Sequence, residues 1–135
     1  MMVPSDDLLS QKKRLAWKDL DGKVIVTIHP DLALGFYDNF FAKCLEAKIS
    51  VVTGQYANDL HTEMWLVSIG MGWAPTSLTT SRIKRPNVSY CVLPANLPKV
   101  QTAMSWKKAS VSPSVANFIE VIQPLAMRRL VGKPG

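Results

Sequence analysis

The sequence has few of the residues that build covalent or metal-held scaffolds. Two cysteines, Cys44 and Cys91, lie far apart without a CxxC pair, and His29 and His61 are the only histidines. This scarcity argues against a disulfide framework and against a zinc site of the usual ligand spacing, and it predicts two buried thiols. We therefore expect neither a metal nor any other cofactor.

Long apolar runs are also missing. No stretch approaches the roughly 20 residues that a membrane-spanning helix needs. Residues 1–7 lack the basic and apolar regions of a secretory signal, so we expect a cytoplasmic protein with no membrane partner. A length of 135 residues, with 47% hydrophobic and 19% charged residues, predicts a globular domain with a real core.

Catalytic motifs are absent as well. Gly70-Met71-Gly72 follows a predicted helix, not a strand, and lacks the third glycine of a dinucleotide-binding loop. No phosphate-binding lysine loop and no GxSxG motif is present. Cys44 falls within the apolar stripe of a predicted helix, which favours a buried thiol over a nucleophile. We therefore do not expect an enzyme.

Acidic residues are fewer than basic ones, 10 against 16, which gives a net charge of +6. The basic residues occur as small clusters, which is typical of a solvated surface. We expect at most weak, unspecific attraction to nucleic acid and no specific DNA binding. The clusters are Lys12-Lys13-Arg14, Arg82-Lys84-Arg85, Lys107-Lys108 and Arg128-Arg129.

The stretch from Val24 to Ala47 organises the rest of the chain. Residues 24–28 form an apolar, β-branched run that predicts a buried strand, and the following proline ends it. Residues 36–47 then show helical spacing after a loop. The N-terminus of a helix after a strand can hold an anion, because its first N–H groups have no partner within the helix. The same pattern also suits a plain strand–helix unit without a ligand.

Strands and helices alternate along the remaining chain, which predicts an α/β fold with a mainly parallel sheet. Residues 54–57 are predicted as a loop, and Gly72-Trp73-Ala74 as at most a very short strand. The other predicted strands are residues 49–53, 88–93 and, half buried, 100–106. The other predicted helices are residues 59–69, capped by Asn58, and a helix from Pro113, capped by Ser112.

Short motifs in a definite order run through nearly the whole chain. They include Gly22-Lys23-Val24-Ile25-Val26, Gly35-Phe36-Tyr37-Asp38, Cys44-Leu45-Glu46-Ala47, Ser68-Ile69-Gly70-Met71-Gly72, Pro75-Thr76-Ser77-Leu78, Val88-Ser89-Tyr90-Cys91-Val92-Leu93, Met104-Ser105-Trp106-Lys107-Lys108 and Ser112-Pro113-Ser114-Val115. Together they resemble the C-terminal part of the effector-binding region of LysR-type transcriptional regulators. That region is similar to a periplasmic binding protein, with two α/β subdomains and the ligand between them.

The resemblance implies a three-layer fold with a mainly parallel sheet. It implies a residual crossover segment at residues 1–21, one effector-binding subdomain at residues 22–98, and a return strand with a C-terminal helix at residues 99–135. It also implies that the effector contacts Gly35, Phe36 and Tyr37, and that His29 and Pro30 line the cleft wall.

The sequence departs from the family pattern in three places. The helix-turn-helix, the linker helix and the first half of the first subdomain are not present, so half of the effector cleft is missing. The strand between Gly72 and Pro75 is about two residues short, and the usual histidine near the start is replaced by Asp7.

Two functional hypotheses follow from the resemblance. The first is a truncated effector-binding domain that takes a small-molecule effector, such as a small organic or aromatic acid, without its own DNA-binding domain. The alternative is an interaction module that self-associates or pairs with a full-length regulator and needs no ligand. A homodimer is expected in either case, because apolar helix faces must be buried. Its predicted interface residues are Leu60, Met64, Val67, Phe118 and Ile122.

Overall fold

The structure, a computed structural model, describes residues 1–32, 34–94, 97, 104–107 and 111–131. It divides into two compact units, Met1–Val100 and Gln101–Gly135. The strands are β1 (Met2–Pro4), β2 (Val24–Ile28), β3 (Val52–Ala57) and β4 (Val88–Tyr90). The helices are α1 (Leu34–Glu46), α2 (Leu60–Ser68) and α3 (Pro113–Val131), with short 3₁₀ helices at Leu8–Gln11, Trp17–Leu20, Pro30–Leu32 and Thr80–Arg82.

The first unit is α/β, as predicted, but the described residues do not form one continuous, mainly parallel sheet. Instead β2 pairs in parallel with β3, and β1 pairs antiparallel with β4. Trp73 and Ala74 lie between these two sheets. Trp73 forms a parallel bridge to Ile25, and Ala74 forms an antiparallel bridge to Met2. Pro75 follows at once, so this link is too short to form a strand.

Hydrogen bonds nevertheless run from one small sheet to the other through this link. Val26 N donates to Trp73 O at 2.8 Å, and Trp73 N donates to Val24 O at 2.9 Å. On the other side Met2 N donates to Ala74 O at 2.7 Å, and Ala74 N donates to Met2 O at 2.9 Å. The two-residue link therefore satisfies its backbone groups on both sides and fixes the order of the strands.

Two apolar clusters form the core, and they share no residue. One contains Ile25 and Trp73 together with Phe40 and Cys44 of α1. The other contains Val26 and Ala74 together with Met64 and Val67 of α2. Adjacent residues belong to different clusters because successive side chains of a strand point to opposite faces. The alternation thus places α1 and α2 on opposite faces of the strands.

The N-terminal residues belong to this core, which the sequence pattern did not predict. Met2 and Val3 are fully buried in β1. Trp17–Leu20 form a 3₁₀ helix with Leu20 buried. Residues 1–21 are therefore an integral part of the first unit, with a strand of their own.

The prediction for the second strand was wrong in position. Residues 49–51 form no strand, and β3 covers Val52–Ala57, which includes the predicted loop. Among the described residues β3 pairs only with β2, and it exposes most of its side chains, so its sequence lacks the pattern of a buried strand. The register shifts between Ile25 and Thr27, beside Gly54, where an added Cβ would lie 2.4 Å from Val24 Cγ1.

Helix boundaries differ from the predictions in detail. α1 begins at Leu34, so the predicted loop through Leu34 and Gly35 is instead its first turn. Asp59, not Asn58, caps α2, because its carboxylate accepts a hydrogen bond from Thr62 N at 2.9 Å. Strand β4 ends at Tyr90, three residues earlier than predicted, although Val92 still bridges to Arg14.

The second unit is described only in part. The predicted return strand at residues 100–106 lies mostly outside the described residues, and residues 104–107 form no strand. The predicted helix start at Pro113 is confirmed, and Ser112 Oγ accepts a hydrogen bond from Val115 N at 3.4 Å. α3 continues through Pro124 to Val131.

Candidate functional site

Strand directions bring several loops to one edge of the first unit. β2 runs parallel to the link at Trp73, and both β4 and this link run antiparallel to β1. β2, the link and β4 therefore all point the same way, and the segments that follow them leave at the same edge. In α/β folds, ligands bind in the crevice outside the carboxyl ends of such strands.

A cavity of about 550 Å³ lies at this edge. That volume is within the range of roughly 300–1,000 Å³ found for small-molecule sites. Residues 76–79, which follow the link, form one part of its wall, and residues 91–93, which follow β4, form another. Phe36, in the first turn of α1, is also in the wall. The cavity is thus built by the three segments that the strand directions bring together.

The cavity wall is apolar with a line of hydroxyl groups. Thr76, Ser77, Thr79 and Ser81 carry these hydroxyls. None of the described wall residues is a lysine, an arginine or a carboxylate. Cys91 is buried in the wall, and burial raises the pKa of its thiol, so the thiol is protonated at neutral pH. The wall residues described here therefore suit binding and hydrogen bonding better than nucleophilic chemistry.

An aromatic group lies at the carboxyl ends of β2 and β3. The His29 ring centroid is 5.2 Å from that of Tyr56, and the Tyr37 centroid is 6.4 Å from it. The Tyr37 and Tyr56 hydroxyl oxygens are 3.5 Å apart, and this hydrogen bond raises the pKa of Tyr56. Sequence reasoning missed Tyr56 because residues 54–57 were predicted as a loop.

The five predicted ligand-binding residues do not form one site. Phe36 alone is in the cavity wall. His29 and Tyr37 belong to the aromatic group with Tyr56. Gly35 is exposed in the first turn of α1, where Asn39 Nδ2 donates to its carbonyl at 2.6 Å.

The fifth predicted residue, Pro30, begins the 3₁₀ helix Pro30–Leu32. Sequence reasoning assigned no role to the hydroxyl-bearing segment at residues 76–79, which precedes the 3₁₀ helix Thr80–Arg82. Its position in the wall depends on strand order, which no local pattern reveals.

Comparison with known proteins identifies the family. The profile described as the LysR substrate binding domain matches residues 1–126. The chain belongs to the LysR substrate-binding domain family. The family prediction made from the ordered motifs is therefore confirmed.

Two curated relatives in this family are transcriptional regulators. The chain is 25% identical over 113 residues to the HTH-type transcriptional regulator BudR of Raoultella terrigena, covering 84% of this chain and 39% of BudR. It is 23% identical over 128 residues to the Hca operon transcriptional activator HcaR of Escherichia coli K12, covering 91% of this chain and 42% of HcaR. The chain thus spans about two fifths of the length of these relatives.

A solved structure supports the fold. The crystal structure of HinK, a LysR family transcriptional regulator from Pseudomonas aeruginosa, matches with a TM-score of 0.59 at 12% identity. The match covers 88% of this chain and 41% of HinK. At this identity the likeness shows the LysR substrate-binding domain fold and nothing finer.

The residues predicted for a LysR-type dimer interface differ from one another in their exposure to solvent. In α2, Met64 and Val67 are only 1% and 0% exposed, because they pack in the core against β1 and β2. The exposed apolar residues of this helix are Trp65 and Ile69. Met64 and Val67 therefore offer no surface to a second chain, whereas Trp65 and Ile69 do.

The remaining predicted interface residues have intermediate or high exposure. Leu60 is half-buried beside the α2 core cluster. In α3 of the second unit, Phe118 is exposed and Ile122 is half-buried.

Within the described residues, no group of three or more His, Cys, Asp or Glu side chains is placed to hold a metal ion. Among these same residues, no helix is both long and apolar enough to span a bilayer.

Proposed function

We propose that this chain binds a small-molecule effector, a small organic acid or a similar compound, in the cavity beside Phe36. Family membership supports effector binding as the general role. The observation that carries the proposal for this chain is the cavity of about 550 Å³ at the carboxyl ends of β2, the link and β4. A cytoplasmic location is part of the same proposal.

We further propose that the residues of this chain bind DNA only weakly and without sequence preference. It covers only 39% of BudR and 42% of HcaR. Its net charge of +6 favours a weak attraction to phosphate groups, and dissolved salt screens this attraction. A footprint on one defined DNA sequence that persists at raised salt would contradict this part of the proposal.

Thermal unfolding in the presence of small acids tests effector binding. A ligand that binds only the folded chain raises the midpoint of unfolding, and the stabilisation grows with the logarithm of the ligand concentration once that concentration exceeds the dissociation constant. The variant Leu93→Trp fills the cavity and should remove the shift. Leu45→Trp is the matched control, because Leu45 is exposed on α1 and lies outside the cavity wall.

The second proposed function is self-association or pairing with a full-length regulator without a ligand. The observation in its favour is the exposed apolar surface of α2, where Trp65 is 60% exposed and Ile69 66% exposed. Trp65 also stacks with Arg85, whose guanidinium carbon lies 3.4 Å from the ring centroid. An exposed apolar and aromatic surface of this kind is typical of a protein contact.

A further inference from the structure

Asp21 is followed by Gly22, and no other aspartate or asparagine of the sequence precedes a glycine. The backbone nitrogen that follows an aspartate can attack the side-chain carboxyl carbon and close a five-membered imide ring. A glycine at that position favours the attack, because it carries no Cβ and its backbone moves more freely. The sequence therefore contains one pair of the kind that isomerises most readily.

The structure places this pair in a tight turn between the 3₁₀ helix Trp17–Leu20 and β2. Asp21 has φ −61° and ψ 129°, and Gly22 has φ +70°, as in a type II turn. Lys23 N donates to Leu20 O at 3.0 Å and closes the turn. Ring closure needs the Gly22 nitrogen on the same side as the Asp21 Cβ, and the observed ψ directs it away. The folded turn is therefore not the reactive conformation.

The backbone of Ser50 holds both reactive groups in this arrangement. Ser50 N donates to Asp21 Oδ1 at 2.8 Å. Gly22 N donates to Ser50 O at 2.7 Å. The attacking nitrogen and the carboxyl group that it would attack are thus both bound to one residue of a distant segment. Because all three residues are exposed to solvent, these hydrogen bonds and not burial restrain the pair.

We propose that Asp21 is a modification site, at which isoaspartate forms spontaneously when the two hydrogen bonds to Ser50 open. In the first step Gly22 N bonds to Asp21 Cγ, and the side-chain hydroxyl leaves with the amide proton as water. Water then adds to the imide at either carbonyl carbon. Addition at Cγ restores aspartate. Addition at the main-chain carbonyl gives isoaspartate, in which the chain continues through Cβ and Cγ.

Isomerisation at Asp21 also alters the start of β2. It adds one carbon to the main chain just before Gly22. The lengthened turn cannot keep the hydrogen bond from Gly22 N to Ser50 O in register with the one from Val52 N to Lys23 O, which is 3.0 Å long. These bonds lie where the pairing of β2 with β3 begins. An isomerised chain should therefore unfold at a lower urea concentration than the unaltered chain.

Isomer formation in the unaltered chain tests the proposal. Samples are kept folded in buffer or unfolded in urea at the same pH and temperature. Trypsin then releases residues 19–23, and chromatography with fragmentation mass spectrometry separates the aspartate and isoaspartate forms. We expect the isomer to form at least about tenfold more slowly in the folded chain, because openings of a hydrogen-bonded turn are rare. Asp19 is the internal control in the same peptide, since Leu20 follows it.

Two further measurements test the role of Ser50. Folding should slow isomer formation by at least the factor by which it slows hydrogen exchange of the Gly22 amide, because both processes need the same opening. Ser50→Pro removes the N–H that holds Asp21 and keeps the carbonyl, so it should speed isomer formation in the folded chain about threefold or more. Ser50→Ala is the matched control, because it keeps both backbone groups.

Three outcomes would overturn the proposal. Absence of isoaspartate even in urea would show that Asp21 is not a modification site. Equal rates in folded and unfolded chains would show that the contacts with Ser50 do not restrain it. Slow isomer formation beside a Gly22 amide that exchanges as fast as in urea would show that some other feature protects the pair. Since these three use the unaltered chain, they do not depend on whether Ser50→Pro folds.

Discussion

The Asp7 carboxylate accepts a hydrogen bond of 3.0 Å from the indole Nε1 of Trp73. The same oxygen, Oδ2, accepts from Lys23 Nζ at 3.0 Å, and Lys23 Nζ lies 4.5 Å from the centroid of the Trp73 ring. Asp7, which replaces the histidine usual in LysR-type regulators, therefore joins the N-terminal segment both to the start of β2 and to the two-residue link. These contacts add to the β1–β4 pairing and to the buried side chains that hold residues 1–21 in the first unit.

Replacing Asp7 tests this connection. Burial acts to raise the pKa of Asp7, but hydrogen bonds from Leu9, Lys23 and Trp73 outweigh it and hold the pKa below its ordinary value. Asp7→Ala should reduce the free energy of unfolding by about 1–3 kcal/mol, because it leaves the Trp73 N–H without its partner. Urea unfolding measures the loss, and Asp6→Ala, at an exposed neighbour, should change little.

The acid dependence gives a second readout for Asp7. Because the folded pKa is lowered, the stabilisation is present above the pKa of the unfolded chain, near 3.8, and is lost as the pH falls through the folded value. The wild-type and Asp7→Ala chains should therefore converge in stability at acid pH. Equal stabilities at neutral pH would show that the Asp7 contacts contribute nothing measurable.

Gly72 allows the close approach of the link to β2. An added Cβ would lie 2.7 Å from Val24 O, at a φ of +156°. Gly72→Ala should therefore destabilise the first unit by about 2 kcal/mol or more, since backbone atoms must move. Gly35→Ala is the matched control, because nothing lies within 4 Å of its added Cβ. In α1 this second change should be neutral or stabilising by up to about 1 kcal/mol.

Denaturant unfolding of both glycine variants separates a local packing effect from a general effect of removing glycine. A Gly72→Ala chain as stable as wild type would show that the link is not held tightly against β2. In that case the two small sheets would not depend on the short link for their relative position.

The buried carboxyl group of Glu63 should make the free energy of unfolding depend on pH across the neutral range. Its side chain is buried in α2, and this burial raises its pKa to about 8, although the Met1 amino charge acts to lower it. The unfolded chain has the ordinary value near 4.5. The protonated form is favoured on folding, so the contribution of Glu63 to stability is complete below pH 4.5 and is lost as the pH rises to about 8.

Glu63→Gln removes this titration. A shift of one pKa unit corresponds to about 1.4 kcal/mol of stability. The free energy of unfolding of the variant should therefore exceed that of the wild type by a few kcal/mol at pH 8, and the two values should be similar near pH 4. Urea unfolding over this pH range is the measurement. Glu120→Gln, at an exposed position in α3, is the matched control. The prediction is contradicted if the wild-type chain becomes more stable from pH 5 to pH 8 and the Glu63→Gln chain shows the same increase.

We expect the chain to form a homodimer through exposed apolar helix residues. Trp65→Glu on α2 or Phe118→Glu on α3 should shift the mass toward 15.0 kDa, because each places a charge in an apolar contact. Light scattering coupled to gel filtration measures this across a wide range of concentration. Leu45→Glu, at an exposed position on α1, is the control. A single 15.0 kDa species of the unaltered chain at high concentration would end the dimer hypothesis.

Local patterns in the sequence determined several elements correctly. β2 begins and ends where the apolar run predicts, at Val24 and Ile28, and α3 begins at Pro113 after its serine cap. Cys44 and Cys91 are buried thiols, as expected. These features depend on spacing, caps and hydrophobicity over a few residues, which is information that the sequence carries directly. The order of motifs along the chain was sufficient to identify the LysR substrate-binding domain family.

Only the tertiary structure decided which residues form the cavity. The burial of β1, the position of β3 and the role of the Trp73-Ala74 link depend on pairing between residues far apart in sequence. Phe36 and residues 76–79 share one cavity because β2 and the link run in the same direction. Strand direction and neighbour order are long-range properties. The sequence alone therefore predicted the anion site at the helix that follows β2, but not the hydroxyl-bearing segment across the cavity.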